Sequence, residues 1–246
     1  MLYDSKLEKD NCGFGLIAQV NGQASHRLIR TAITGLDRME HRGGISADGK
    51  TGDGCGLLLQ KPDSFFRAIA AEKNWHLGKN YAVGMIFLNS DPVLAQAAKD
   101  ILSEELEKET LNIQGWRIVP TDESCLGPIA IKQLPKFEQI FVNAPEGWRP
   151  KDLERRLYVA RRRAEKRLSE DEGFYIASLS GLVTIYKGLM MPVDLPNFYL
   201  DLADIRMTSA ICVFHQRFST NTQPRWPLAQ PFRYLAHNGE INTIQG

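Results

Sequence analysis

Hydrophobic residues follow two spacings along this chain, and each spacing predicts a different kind of element. Short runs that are apolar, or that alternate apolar with polar residues, predict β-strands, whereas apolar residues three and four positions apart predict amphipathic helices. The predicted strands cover residues 12–20, 56–60, 81–88, 116–119, 137–143, 174–179, 182–186 and 209–215. The predicted helices cover residues 25–39, 65–75, 91–108, 150–168 and 195–202.

The order of these elements predicts an α+β fold in which helices cover the sheets. Strands and helices alternate without the regular rhythm of βαβ units, and no phosphate-binding glycine motif opens a helix. We expect strands 174–179 and 182–186 to pair with each other around Ser180-Gly181. Residues 209–215 are nearly all apolar, which predicts a fully buried strand.

The helix at 150–168 is the most charged element, with an apolar stripe that includes Leu153 and Leu157 and eight basic residues on its other faces. The simpler interpretation is a solvated face with helical partners such as Glu154 and Glu165. The alternative is a docking face for a larger protein or an acidic partner.

The overall charge changes which partners are expected. The chain of 246 residues has 30 Lys and Arg against 29 Asp and Glu, a formal net charge of +1, so we expect neither nucleic acid nor an acidic membrane as a partner. No run reaches the roughly 20 apolar residues that a membrane span needs. Residues 1–11 are polar and lack the apolar core of a secretory signal. The four scattered cysteines fit a reducing cytoplasm.

Cys12 is the first candidate for chemistry. A cysteine on an early strand is commonly a small buried hydrophobe, but Gly13 and Gly15 leave the backbone around this sulfur open. If residues 1–11 were removed, Cys12 would carry both a thiol and a free α-amine. An α-amine titrates near pH ~8 and can act as a general base. One residue would then supply both the nucleophile and its base.

Two further groups follow the last predicted strand. Arg217 stands among aromatic and hydroxyl residues, where its guanidinium could bind a carboxylate through two parallel hydrogen bonds, although an arginine at a strand end is commonly on the surface. Asn238-Gly239 is first a turn signal. The same pair can offer a side-chain amide and a backbone N–H to a developing oxyanion. The five histidines lack metal-ligand spacing, so no metal site is expected.

In combination, these motifs resemble the class II glutamine amidotransferase domain of the glutamate synthase large subunit. The similar segments are Cys12-Gly13-Phe14-Gly15, His41-Arg42-Gly43, residues 51–56, residues 215–222 and residues 225–243. The resemblance implies a four-layer αββα sandwich of the N-terminal-nucleophile hydrolase type. It implies one domain over residues 12–246, preceded by a leader, residues 1–11, that is removed on maturation.

The resemblance also assigns roles. Cys12 would attack the side-chain amide of L-glutamine, release ammonia and form a γ-glutamyl thioester that water hydrolyses. Arg217 would bind the substrate carboxylate, Asn238 and Gly239 would form the oxyanion hole, and Gly239 would also lie beside the substrate. Arg42, with the glycine-rich segment 43–56, would help to close the pocket.

The resemblance implies a larger enzyme around this domain. Ammonia would react with 2-oxoglutarate in synthase domains of the same chain, which would carry FMN and an iron–sulfur cluster, and an NADPH-oxidising small subunit would supply electrons. The family's aspartate for the substrate α-amine would lie beyond Gly246, so we expect the domain to be incomplete at its C-terminal end. The alternatives are another class II amidotransferase, which makes a sugar amine or a purine precursor, and a non-catalytic glutamine-binding module.

Overall fold

The computed structural model describes residues 13–216 and 223–233, which form two four-stranded antiparallel sheets with helices. The strands are β1 (Phe14–Ala18), β2 (Cys55–Gln60), β3 (Tyr81–Leu88), β4 (Asn112–Ile118), β5 (Lys136–Asn143), β6 (Tyr175–Ser180), β7 (Val183–Gly188) and β8 (Ile211–Gln216). The helices are α1 (His26–Asp37), α2 (Asp63–Glu72), α3 (Pro92–Lys108), α4 (Pro128–Lys132), α5 (Pro150–Arg167) and α6 (Leu195–Phe198).

The first sheet has the strand order β1-β8-β2-β7, and the second has the order β4-β5-β3-β6. The α+β prediction is therefore confirmed. One strand pairing was wrong: β6 and β7 follow each other in sequence but do not pair. β6 pairs with β3, whereas β7 pairs with β2. The short Ser180-Gly181 connection carries the chain from one sheet to the other instead of closing a hairpin.

The inner core joins the two sheets. Phe214, Leu57 and Tyr186 lie opposite one another in the first sheet and share one face. Tyr186 accepts a 3.1 Å hydrogen bond from the side-chain amide of Gln139, on β5 of the second sheet. Helices α1 and α2 pack into the same core through residues such as Leu36 and Phe66.

The outer faces of the two sheets differ. Helices α3 and α5 cover the outer face of the second sheet, where side chains such as Ile86 and Ile140 are fully buried. On the outer face of the first sheet, Phe14 and Leu16 of edge strand β1 are 58% and 61% exposed. Helical covering is therefore confirmed for the second sheet.

The basic helix α5 is held by acidic residues on two elements. Glu165 accepts from Arg161 at 2.7 Å, as helical spacing predicts. Other arginines of α5 form ion pairs with two glutamates of α3 and with Glu109, the residue after α3. Arg163 lies 2.6 Å from Glu109, and Arg156 also pairs with Glu109. Arg167 pairs with Glu104 and Glu105. The arginine-rich pattern therefore largely reflects packing between two helices. Glu154 is a correction, because it accepts from Ser180 and Gly181 rather than from a helical neighbour.

Candidate active site

Arg42 is the one predicted site residue that lies within the described part of the chain. Cys12, Arg217, Asn238 and Gly239 lie outside the described residues. Arg42 ends a short 3₁₀ turn after α1, is partly buried, and donates its backbone N–H to Met39 O at 2.8 Å. For the other four positions, the described residues nearest in sequence give the surrounding geometry.

The residues next to Cys12 and Arg217 are hydrogen-bonded to each other. Gln216, the last residue of β8, donates its backbone N–H to Gly13 O at 2.5 Å. A Cβ added to Gly13 would lie 2.1 Å from Gln216 O and 3.4 Å from the Cβ of Arg42. The start of β1, the end of β8 and Arg42 therefore meet at one end of the first sheet, where glycine alone permits the close backbone approach.

The glycine-rich segment 43–56 turns back on itself beside this meeting point. Ser46 N donates to Thr51 O at 2.8 Å, and Asp53 N donates to Gly44 O at 3.0 Å. A Cβ on Gly43 would lie 1.9 Å from the side-chain nitrogen of Gln216. The glycines of this segment therefore allow it to turn tightly and to approach β8 closely.

Asp48 fixes the tip of this glycine-rich loop. Its carboxylate accepts from Thr51 N at 2.8 Å, from Thr51 Oγ1 at 2.6 Å and from Ile129 N at 3.0 Å. The Thr51 hydroxyl and the backbone N–H groups of Ile129, Thr51 and Lys50 hold the pKa of Asp48 well below its usual range. The charged form of Asp48 therefore attaches the loop to the start of α4.

A second segment, residues 226–233, begins at the same end of the first sheet, and we call it the strap. Trp226 is almost fully buried and donates its indole N–H to Ala130 O at 3.1 Å. A Cβ on Gly56 would lie 2.7 Å from Gln230 O. Arg233, at the end of the strap, lies 2.6 Å from Glu154. In sequence, Asn238 follows five residues after Arg233.

The described cysteines are poorly placed for nucleophilic chemistry. Cys55 starts β2 directly opposite Gln216, but burial raises the pKa of its thiol well above the ordinary value. Burial raises the pKa of Cys212 to about 12, and burial also raises that of Cys125. Since the thiolate is the reactive form, Cys55 and Cys212 behave as inert core groups, and the raised pKa also disfavours reaction at the partly buried Cys125.

The described residues offer neither a metal site nor a membrane-spanning helix. Within residues 13–216 and 223–233, no cluster of three or more His, Cys, Asp or Glu side chains could hold a metal ion. No helix in this part of the chain has the length and apolar composition needed to span a membrane. A groove of about 590 Å³ runs along α1, and its lining includes Arg27, Arg30 and Arg38 but not Gly13, Arg42 or Gln216.

The sequence model of the family described as "Glutamine amidotransferases class-II" matches residues 12–246. This chain belongs to the class II glutamine amidotransferases. The match begins at Cys12, the residue proposed as nucleophile.

Proteins similar to this amidotransferase chain are glutamate synthases. It is 44% identical to the ferredoxin-dependent glutamate synthase 2 of Synechocystis sp. over 97% of its own length and 15% of that protein. It is 41% identical to the chloroplastic/mitochondrial ferredoxin-dependent glutamate synthase 1 of Arabidopsis thaliana, over 100% of its own length and 15% of that protein. It is 40% identical to the glutamate synthase [NADPH] large chain of Bacillus subtilis, over 100% of its own length and 16% of that protein. The chain thus spans about one sixth of these relatives.

These matches confirm the resemblance inferred from the motifs and the prediction of an enzyme domain. The amidotransferase chain also holds two residues near the candidate site that the sequence analysis did not select. Gln216 is fully buried, and neither atom of its amide group has a hydrogen-bond partner among the described residues. Lys187 is also fully buried. The sequence signal that could have identified both residues is a polar residue inside or directly after an apolar predicted strand.

Proposed function

We propose that this chain is the glutaminase part of a glutamate synthase and releases ammonia from L-glutamine at Cys12. The observation that carries the proposal is the pairing of Gly13 with Gln216 beside Arg42. This pairing joins the chain neighbours of Cys12 and Arg217 at one end of the first sheet. The nucleophile and the carboxylate-binding arginine would then act on the same bound amino acid.

The proposed reaction has two steps. The Cys12 thiolate attacks the amide carbon of glutamine; the C–N bond breaks, and ammonia leaves after protonation by the α-amine of Cys12. Water then attacks the γ-glutamyl thioester, the C–S bond breaks, and glutamate and the free thiol are released. This role of the α-amine requires removal of residues 1–11.

The other site residues would orient the substrate and stabilise charge. Arg217 would bind the α-carboxylate of glutamine by two parallel hydrogen bonds. Asn238 and Gly239 would donate to the oxyanion of the tetrahedral intermediates, and each donor of this kind contributes on the order of 3 kcal/mol. Arg42 and the glycine-rich loop would close the pocket from the β1 side.

The relatives' names support a wider proposal for the longer protein. Ammonia would pass to synthase domains with FMN and an iron–sulfur cluster and there react with 2-oxoglutarate, and a small subunit would oxidise NADPH. The expected setting is the cytoplasm. The domain would have the four-layer αββα arrangement.

The direct test measures the intact mass and the ammonia released, with glutamine as substrate and 6-diazo-5-oxo-norleucine as the electrophilic analogue. We expect a mass that begins at Cys12, one covalent adduct, and loss of both adduct and turnover in Cys12→Ser. Cys125→Ser is the matched control and should keep both. Glutamine binding that survives Cys12→Ala, with no ammonia release from the wild type, would instead indicate a non-catalytic binding module.

A further inference from the structure

Lys187 is a buried lysine at the end of the sheet where the candidate site lies. It is fully buried on β7, opposite Gly56 of β2. Gly56 is in turn opposite His215 of β8, and His215 is opposite Phe14 of β1. Lys187 therefore shares a row across the first sheet with residues that adjoin the proposed active site.

The partners of Lys187 are neutral groups. Its Nζ donates to Pro227 O at 2.7 Å and to the Tyr175 hydroxyl at 3.1 Å. The same atom lies 4.3 Å from the ring centroid of Phe232 and 4.7 Å from that of Tyr175. Among the described residues no carboxylate forms an ion pair with it. Burial, with a smaller contribution from the charge of Arg161, lowers the pKa of Lys187 well below its ordinary value.

Such a lysine is costly, because an amine removed from water without a counter-charge loses several kcal/mol of hydration. An apolar side chain of the same length would fill the space without that cost. What the amine adds is a hydrogen bond to the strap at Pro227 and a contact with the strap at Phe232. Lys187 thus connects strand β7 to two separate points of one irregular segment.

The strap has little regular secondary structure. Its backbone forms a short 3₁₀ turn at Trp226–Leu228 and no strand within residues 226–233. Trp226 fixes its first residue in the core, and the Arg233–Glu154 ion pair fixes its last. Lys187 contacts the strap between these two attachment points, and the chain continues from Arg233 to Asn238 and Gly239.

We propose that Lys187 is a positioning residue of the glutaminase, which fixes the strap so that the following segment presents Asn238 and Gly239 to the reacting amide. The inference rests on the proposed function of the Cys12 site. It assigns to Lys187 no contact with substrate; its effect passes through Pro227 and Phe232.

The test compares Lys187→Met with Lys61→Met in the whole chain. Lys61 is a matched control, because burial lowers its pKa to about 8 and its Nζ also donates to a backbone carbonyl, Tyr81 O, at 3.1 Å. Lys61 follows the far end of β2, away from Cys55. Phe232→Leu is a second variant that weakens the same contact from the strap side, at a partly exposed position.

The first measurement is limited trypsin cleavage after Arg225 and Arg233, followed by mass spectrometry. We expect cleavage about tenfold faster or more in Lys187→Met and faster cleavage in Phe232→Leu, since protease access follows local opening. Lys61→Met should match the wild type in cleavage after Arg225; cleavage after Arg233 is not compared for this control, because the charge of Lys61 acts on Glu154, the partner of Arg233. Equal cleavage in Lys187→Met and wild type would overturn the proposal whether or not the chain hydrolyses glutamine.

The second measurement is steady-state glutamine hydrolysis. Oxyanion donors act mainly in the transition state, so we expect kcat to fall about tenfold to a hundredfold in Lys187→Met with KM changed by less than about threefold. Faster cleavage with unchanged kcat would show a structural role alone and overturn the positioning role. Absence of glutamine hydrolysis by the wild-type protein would contradict the proposed function. The cleavage data show separately whether Lys187 holds the strap.

Discussion

Arg117 illustrates how one buried residue joins three elements of the fold. Its guanidinium, on β4, binds both carboxylate oxygens of Asp201, at 2.5 and 2.7 Å, and donates to Gln139 Oε1 at 2.7 Å. Burial acts to lower the pKa of Arg117, but the hydrogen bonds and charge of Asp201 outweigh it and raise that pKa. Tyr186 donates to the same carboxylate at 3.0 Å, so the network reaches the first sheet.

Arg117→Met should therefore lower the free energy of unfolding by about 3–5 kcal/mol, because it leaves the Asp201 carboxylate buried without its cation. Arg149→Met removes an exposed ion pair with Asp152 and should cost far less, because water and salt screen an exposed pair. Urea unfolding of both variants at neutral pH measures the difference. Equal losses would show that burial does not control the energy of the Arg117 pair.

Gly13→Ala should damage the site through the backbone. The new methyl group would meet Gln216 O, a backbone atom that can move only if β1 and β8 separate. We expect a loss of about 1–3 kcal/mol in unfolding free energy and a larger fractional loss of glutaminase turnover. In Gly44→Ala the nearest new contact is an ordinary 3.5 Å from Asp53 Oδ2, so this control should keep wild-type stability.

At the scale of elements, the glycine-rich loop depends on one carboxylate. The pKa of Asp48 is lower in the folded state than in the unfolded state. Its charged form therefore stabilises the fold above the unfolded pKa of about 3.9, and this stabilisation is lost as the pH falls through the folded-state pKa. Asp48→Asn should be less stable than wild type at pH 7, and this difference should shrink below about pH 4. Urea unfolding across this pH range checks it, with the exposed Asp37→Asn as control; a difference independent of pH would contradict the assignment.

Most individual elements were predictable, whereas their partners were not. Asp91 caps α3 by accepting from Val93 N at 2.7 Å, as Asp-Pro at this position predicts. The expected pairing of β6 with β7 was wrong because the alternation of side chains reports burial, not the identity of the neighbouring strand. The expected helix 195–202 is α6 (Leu195–Phe198) followed by a 3₁₀ turn.

At the scale of the molecule, the two sheets share one inner core. Phe137 on β5 contacts Trp226 of the strap, with ring centroids 5.4 Å apart, and Phe198 at 5.4 Å. Since neither sheet buries its inner face without the other, we expect a single cooperative unfolding transition. Guanidinium titrations followed by far-UV circular dichroism and by tryptophan fluorescence should coincide, with Trp226→Phe separating the strap signal. Two distinct midpoints would contradict this.

The sequence by itself determined the element types, the α+β class, the family and the set of candidate site residues, because spacing, capping residues and short motifs are local properties of the chain. Tertiary structure decided which strands are neighbours, that Gln216 pairs with Gly13 beside Arg42, and that Lys187 contacts the strap. These contacts join residues far apart in sequence. They depend on how two sheets bury a common face, and no local pattern encodes that geometry.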